Sequence, residues 1–444
     1  MAVDQSSKAH TDSLARRPPR PRLPKLVQFA LIWTRTVPYL EWCQRRLGDC
    51  FAVWMPPFGR MVYVADPAEI KRVFTGDPKQ FHAGEANALV LERVLGKHSL
   101  LVLDEDEHLQ ERKRLLPHFH GESVRRYAET MAEIAADEVA SWPIGSPIKM
   151  RPAMQRIGLE TILRAVIGVT EPERLARLRG LLPRVSSPPL IVQAMMLWPQ
   201  LERVGPWKRY VRTLEETDRL LYEEIAARRA DPSGEDILSL LVANTALTDE
   251  QLRDELLTLL VAGHETTATG LSWALERLTR HPATLQRAAG GDDEYIDAVV
   301  KETLRVRPVV ADVVRTLQSE AEVAGYRLPA GTVVLPAIAV VQRDSRNYGA
   351  DAHDFRPERW LDGTPPPYTW IPFGGGVRRC IGAAFASLEM NVVLREVLDR
   401  VELAPTRDSG ERSVMRGVVM LPSRGGEVVV RSRLPVRGDA VALA

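Results

Sequence analysis

The chain has 444 residues, 45% of them hydrophobic and 26% charged, with a formal net charge of +1. That is the composition of a folded globular protein, and the near-neutral balance gives no reason to expect nucleic acid or an anionic membrane surface as the main partner. Three cysteines, Cys43, Cys50 and Cys380, are too few and too scattered for a disulfide framework or a zinc cluster, so a reducing cytoplasm fits.

Residues 1–16 are polar and lack the apolar core of a signal peptide. A stiff proline-rich stretch, Arg16 to Pro24, follows. We therefore expect residues 1–20 to be a disordered segment and 21–444 to form one domain. The apolar run from Leu26 to Trp33 is broken by Gln28 and falls well short of the about 20 residues of a membrane span, so no membrane anchor is expected.

A short helix is expected over Pro38–Leu47, then a hairpin with strands Phe51–Trp54 and Met61–Val64. Asp66 is placed to cap a helix over Pro67–Phe74, with Pro67 at its first position. Residues 81–103 read as a long irregular loop, a kind that is often functional. The acidic run beginning at Asp104 suits a helix start. On that helix His108 and Arg112 lie four apart and share a face. Two cationic donors there could hold two carboxylates, or simply form a solvated, salt-bridged surface. Residues 120–242 read as successive helices, roughly 121–141, 152–167, 171–181, 205–229 and 235–243, broken at Ser186-Ser187-Pro188-Pro189. The apolar stretch Leu190 to Trp198, with Met195 and Met196, reads equally as core or as a soft surface for a variable ligand.

The longest helical pattern runs from Thr248 to His281. Thr248 and Gln251 form a capping box, and Pro282 stops the helix. Mid-helix sits Ala262-Gly263-His264-Glu265-Thr266-Thr267, a poor helix composition. The Thr266 hydroxyl can bond the Ala262 carbonyl and bend the helix. Small residues leave space beside it, and an acid next to a hydroxyl offers a proton route. Glu302 and Arg305 can pair on the next helix. Val313–Leu317 and Thr332–Ala339 read as strands.

Near the C-terminus, Phe373, Gly376, Arg378, Cys380 and Gly382 punctuate ten residues, with Gly374 and Gly375 between. The glycines let the backbone turn and approach a flat ligand. Cys380 stands at the start of a helix expected over Ile381–Arg400, where the positive helix end lowers a thiol pKa and favours the metal-binding thiolate. Arg378 can reach a carboxylate on the ligand's rim.

This spacing resembles the haem-binding signature of the cytochrome P-450 family, the haem-thiolate monooxygenases. Ala262–Thr267 and Glu302–Arg305 are similar to two more of its motifs, so the likeness covers the chain past its first 20 residues. The resemblance implies a mainly α fold with small β-sheets (α+β), a triangular prism with a long central helix over the haem. It implies haem b with Cys380 as the iron ligand. It also implies that His108, Arg112, Arg315 and Arg378 serve the propionates, while Ala262, Gly263, Phe373, Gly374 and Gly382 border the ring. Glu265 and Thr266 become the proton-delivering pair, and Glu302, Arg305 and Arg359 a buried structural triad. Residues 309–314 and the turn 416–420 would line a mostly apolar pocket, with Asp312 and Arg416 as polar contacts. The implied reaction inserts one oxygen atom from O2 into an apolar organic substrate. Electrons from NAD(P)H would come through a separate ferredoxin or flavodoxin and its reductase, docking near Arg379, Lys113 and Arg114. A monomer and a cytoplasmic location are expected.

Overall fold

The computed structural model describes residues 17–56, 58–169, 171–197, 205–244 and 246–435; the expected polar segment 1–16 and Trp198 lie outside them. Residues 17–20, expected to be disordered, are instead docked. Pro18 is buried, and the Pro19 carbonyl accepts the Ala52 N–H at 2.8 Å. Among the described residues no helix is long and apolar enough to cross a membrane.

The first helix, α1 (Lys25–Leu47), is longer than expected. It absorbs the apolar run from Leu26 and breaks its dihedrals at Arg35, three residues before the internal Pro38. The hairpin β1 (Cys50–Met55) and β2 (Gly59–Val64) pairs Phe51 with Tyr63. Next, α2 (Pro67–Thr75) is capped by Asp66, whose carboxylate accepts two backbone N–H groups. The stretch expected to be irregular contains β3 (Phe81–His82) and a helix, α3 (Gly84–Leu95). Its cap comes from outside it: the Asp104 carboxylate accepts the N–H groups of Ala83, Gly84 and Glu85 at 2.9–3.0 Å. Asp104 thus ends α3's unpaired donors from 20 residues downstream, while α4 (Glu105–Leu115) begins beside it.

The helices that follow are α5 (Ala128–Ala140), α6 (Met150–Ile162), α7 (Pro172–Ser186), α8 (Leu190–Leu197), α9 (Gly205–Ala230) and α10 (Ile237–Asn244). β4 (Pro147–Lys149) precedes α6, and α6 ends in a wider π-turn at 163–167. The expected Ser186–Pro189 break separates α7 from α8. The long helix is α11 (Asp249–Thr279), with both halves of the Thr248–Gln251 capping box formed. α12 (Pro282–Ala289) and α13 (Asp293–Val306) lead to β5 (Arg315–Leu317), the hairpin β6 (Ala321–Val323) and β7 (Tyr326–Leu328), and β8 (Val333–Pro336). α14 (Ala383–Arg400) follows the cysteine, then β9 (Val401–Pro405), β10 (Ser413–Arg416), β11 (Val419–Pro422) and β12 (Glu427–Arg433).

The largest sheet has the order β1-β2-β8-β5-β3, with β2 and β8 parallel. It sets Arg315 of β5 on the same sheet as Tyr63 of β2. Smaller sheets, β4-β12-β9 and β10-β11, flank the helical part. One core gathers Leu252, Leu256 and Leu260 of α11 with α7, α9 and α10; a second packs Leu271, Ala274 and Leu278 against Val393 and Val397 of α14. α11 is thereby the axis of the helical layer, buried along most of its length.

Candidate active site

The loop before α14 is fixed by two glycines at positive φ. Gly374 has φ 69° and Gly376 φ 64°, and a Cβ on Gly376 would stand 1.8 Å from the Phe74 carbonyl oxygen of α2. The loop is therefore pressed against α2, and only glycine fits there. The Gly374 N–H returns to the Ile371 carbonyl, and the Cys380 N–H bonds the Phe373 carbonyl at 2.9 Å. Phe373 sits edge-on to Trp370 at 6.3 Å. A Cβ on Gly374 or Gly382 would meet nothing within 4 Å, so both border open space. Cys380 is a free thiol with an exposed surface.

The expected lowering of the thiol pKa by the helix end does not hold for the protein alone. α14 begins at Ala383, beyond the cysteine. Although the residue keeps an exposed surface, desolvation by the protein around it pushes the Cys380 thiol up, against the opposing pull of the Gly382 N–H, Arg112 and Arg379. Ionisation there belongs to metal binding, since a coordinating thiol loses its proton outright.

Facing residues lie on α11. Ala262 is exposed and Gly263 and Thr266 are half-buried, whereas Leu260, His264, Glu265, Thr267 and Ala268 are buried. Thr266 Oγ1 donates to the Ala262 carbonyl at 2.6 Å. The helical backbone continues without interruption through this turn. α11 and the cysteine region are tied at two places. Gly270 packs against Met390 of α14, where a Cβ would come within 3.0 Å. Further along, the segment from Ser99 to Asp104 touches both. Its Leu100 N–H bonds Glu255 at 2.7 Å and its Ser99 hydroxyl meets Thr258 at 2.6 Å, while Arg378 donates to the Leu100 carbonyl at 3.2 Å and to Leu103 and Asp104. Gly263, expected to border the ring, is instead packed on α6: a Cβ there would stand 3.1 Å from Ile162 Cδ1. That leaves Ala262 and Thr266 as the open residues of this α11 stretch, and Cys380 and Gly382 as those of the loop.

At the edge of this space four basic side chains from three elements converge: His108 and Arg112 of α4, Arg315 of β5 and Arg378 of the loop. Burial, then Arg378, Arg112 and Arg315, push His108 down to about 3, which makes it a neutral imidazole. Burial and Arg378 lower Arg315 to about 10. Arg315 donates only to its neighbour's carbonyl, Val314, and lies over Phe74 at 5.5 Å. Asp104 is the acid paired with Arg378. Among the described residues the side chains of His108 and Arg112 have no hydrogen-bond or ion-pair partner. Three guanidiniums and an imidazole thus meet here with Asp104 and Glu105 as the acids beside them, and basic side chains drawn together in this way are stabilised by anions. A flat ligand with two carboxylates and a central metal at Cys380 fits the residues present.

Glu265 does not point into that space. Its carboxylate is held by Arg151 of α6 (Nε at 3.0 Å), by Gln155 Nε2 at 2.6 Å and by the Ser187 hydroxyl at 2.7 Å. The adjacent His264 bonds the Gln155 carbonyl through Nε2 at 3.0 Å and meets the Ser186 hydroxyl through Nδ1 at 3.3 Å. These partners are over 75 residues away in the chain, so nothing local in the sequence announced them. The break at Ser186-Ser187 was the one visible signal.

Beneath the loop, Glu302 and Arg305 form a fully buried two-pronged pair at 2.7 and 2.8 Å. Arg359 joins at 3.4 Å, the Trp360 indole N–H at 2.9 Å and the Arg356 N–H at 2.9 Å. Arg305 also donates to the carbonyls of Gln342, Ala352 and Asp354. This network anchors the segment leading into the cysteine loop and lies apart from the open space.

The chain matches the Cytochrome P450 family over residues 16–290 and 291–430. It is 49% identical over 445 residues to cytochrome P450 135B1 of Mycobacterium tuberculosis, covering 96% of this chain and 94% of that protein. It is 38% identical to cytochrome P450 135A1 of the same organism, over 95% of this chain and 97% of the relative. Among solved structures it superposes on a cyanobacterial CYP120A1 with retinoic acid bound, at a TM-score of 0.80 and 24% identity, over 94% of this chain and 99% of that one. That likeness shows the fold, with its helical body and small sheets.

Proposed function

The chain belongs to the cytochrome P450 family and is a haem-thiolate monooxygenase, and we propose that it oxygenates an apolar organic substrate with electrons delivered by a separate ferredoxin or flavodoxin. The observation that carries this reading is the basic rim beside Cys380, in which the side chains of His108 and Arg112 have no partner among the described residues. His108, Arg112, Arg315 and Arg378 would hold the two haem propionates, and Cys380 would ligate the iron from below. Bound there, haem supplies reductive activation of O2 and transfer of one oxygen atom to the substrate.

The protein's own residues then have three tasks. Gly374 and Gly382 leave room for the ring on the loop side, and the small Ala262 leaves room on the α11 side, while Gly263 lets α11 pack closely on Ile162 of α6. Thr266 gives its hydroxyl hydrogen to Ala262, so its oxygen faces the space as an acceptor and can hold a water. Glu265 stores the acid function one residue away, and its release from Ser187 and Arg151 would open a water path towards Thr266 Oγ1. Residues 309–314 and 416–420 would bound the substrate space. The exposed Arg379 and Lys113 would present positive charge to an acidic electron donor. Two buried, unbridged cysteines, Cys43 and Cys50, suit a reducing cytoplasm.

Reconstitution with surrogate ferredoxin, ferredoxin reductase and NADPH tests this reading. Candidate apolar compounds that shift the haem spin state should raise NADPH consumption and yield singly oxygenated product. Spin-shifting compounds that never yield such product would overturn it.

A further inference from the structure

We propose that Asp312 is a recognition point for a cationic nitrogen on the substrate. The inference rests on the reading that segment 309–314 borders the substrate space.

The segment is pinned on both sides. The Val309 carbonyl accepts the Met420 N–H at 2.8 Å, and the Ala311 carbonyl accepts the Ala339 N–H at 2.9 Å. The Met420 carbonyl in turn accepts the Trp273 indole N–H of α11 at 2.8 Å. Between these ties Val309 and Ala311 are buried, whereas Val310, Asp312, Val313 and Val314 stay half-buried. The strap therefore offers three valines and one acid.

That acid is short of partners. Asp312 Oδ2 accepts the Tyr63 hydroxyl at 3.2 Å. Tyr63 is itself buried and stacked on Phe51 at 5.6 Å, so it cannot leave. No donor reaches Oδ1 and no basic side chain pairs with Asp312 among the described residues. Two neighbouring cations are otherwise placed: Arg315 lies over Phe74, and Arg416 of β10 is exposed and makes no ion pair among the described residues.

Other interior acids behave differently. Glu302 holds Arg305, Glu276 holds Arg277 and Arg280, and Glu265 holds Arg151. Glu255 and Glu389 lack a cation but are sealed from any ligand. Asp312 alone of this group has no cation and is open. Burial pushes its carboxyl up to about 6, which still leaves it ionised at neutral pH. A half-buried carboxylate with one neutral donor is electrostatically incomplete. An ammonium group would complete it, with the apolar body of the same molecule against Val310, Val313 and Val314. A carboxylate ligand would be repelled.

The test uses three probes of equal chain length: decyltrimethylammonium, 1-decanol and decanoate, below their aggregation concentrations. The quaternary ammonium cannot ligate iron and cannot donate a hydrogen bond, so it reports charge alone. Calorimetry on the haem-loaded protein should rank the cation tightest, about tenfold or more above decanol. In Asp312→Asn, which keeps an acceptor for Tyr63, cation affinity should fall by about tenfold and decanol binding should hold. Asp312→Ala is the second variant and should lose the same preference. Equal binding of cation and alcohol, or a preference that survives both substitutions, overturns the proposal. So does failure of all three probes to bind while the thiolate spectrum is intact. Loss of the thiolate spectrum in the unsubstituted protein would instead overturn the parent reading, and probe selectivity would still decide this one.

Discussion

Thr266 and Glu265 are neighbours in sequence with opposite surroundings. Thr266 faces the open space, while Glu265 is clasped by Arg151, Gln155 and Ser187. Thr266→Ala should therefore release more hydrogen peroxide per NADPH consumed while the thiolate spectrum is kept; unchanged coupling would count against its role. The basic rim makes a different kind of prediction. The Arg112 side chain has no partner among the described residues, so Arg112→Leu should leave the stability of the haem-free protein unchanged or higher. Transfer of haem to apomyoglobin should nevertheless speed up several-fold. A variant that unfolds easily yet retains haem normally would show that Arg112 serves the fold. At this scale the sequence was readable where chemistry is local. Cys380, its glycines and the Thr266–Ala262 bond are set by spacing alone. The partners of Glu265 were not readable, because they come from α6 and the end of α7, more than 75 residues away.

The Glu302–Arg305–Arg359 network belongs to the scale of elements, because it joins α13 to the segment before the cysteine loop. Glu302→Gln leaves two buried guanidiniums short of their anion and should cost about 3–5 kcal/mol in urea unfolding. A loss within about 1 kcal/mol would be the value of an exposed pair and would contradict its burial. Glu389 on α14 supplies a pH test. Burial pushes its carboxyl up to about 8, and no hydrogen bond reaches its Oε1. An acid whose folded pKa is raised favours its neutral form in the fold. Its destabilising effect is absent below about pH 4, the unfolded value, and grows as pH rises towards 8. Glu389→Gln should thus raise the Tm at pH 9 and have no effect near pH 4; the reverse order would show the carboxylate to be paired. Among elements, α11 and its capping box were legible because period and cap agree. Helix α3 was hidden because its N-terminal donors are satisfied by Asp104 from a later segment.

At the level of the whole molecule, the fold does one job for the site. It buries α11 through two cores and presses the cysteine loop against α2, while Ala262 of α11 and Cys380 of the loop stay exposed. The Ser186–Ser187 break, which joins α7 to α8, touches the same α11 turn through His264 and Glu265. Movement of α7 and α8 is thus mechanically linked to the acid beside Thr266. Ser187→Ala should loosen that link, seen as faster amide hydrogen exchange at the end of α7; unaltered exchange would show that the hydroxyl bond carries no constraint. The whole fold serves the sulfur of Cys380, and the difference spectrum of the reduced, carbon monoxide-bound protein reads that sulfur directly. The red-shifted thiolate band should be present in the unsubstituted protein and lost in Cys380→Ala; the same band persisting in Cys380→Ala would show that another residue holds the iron.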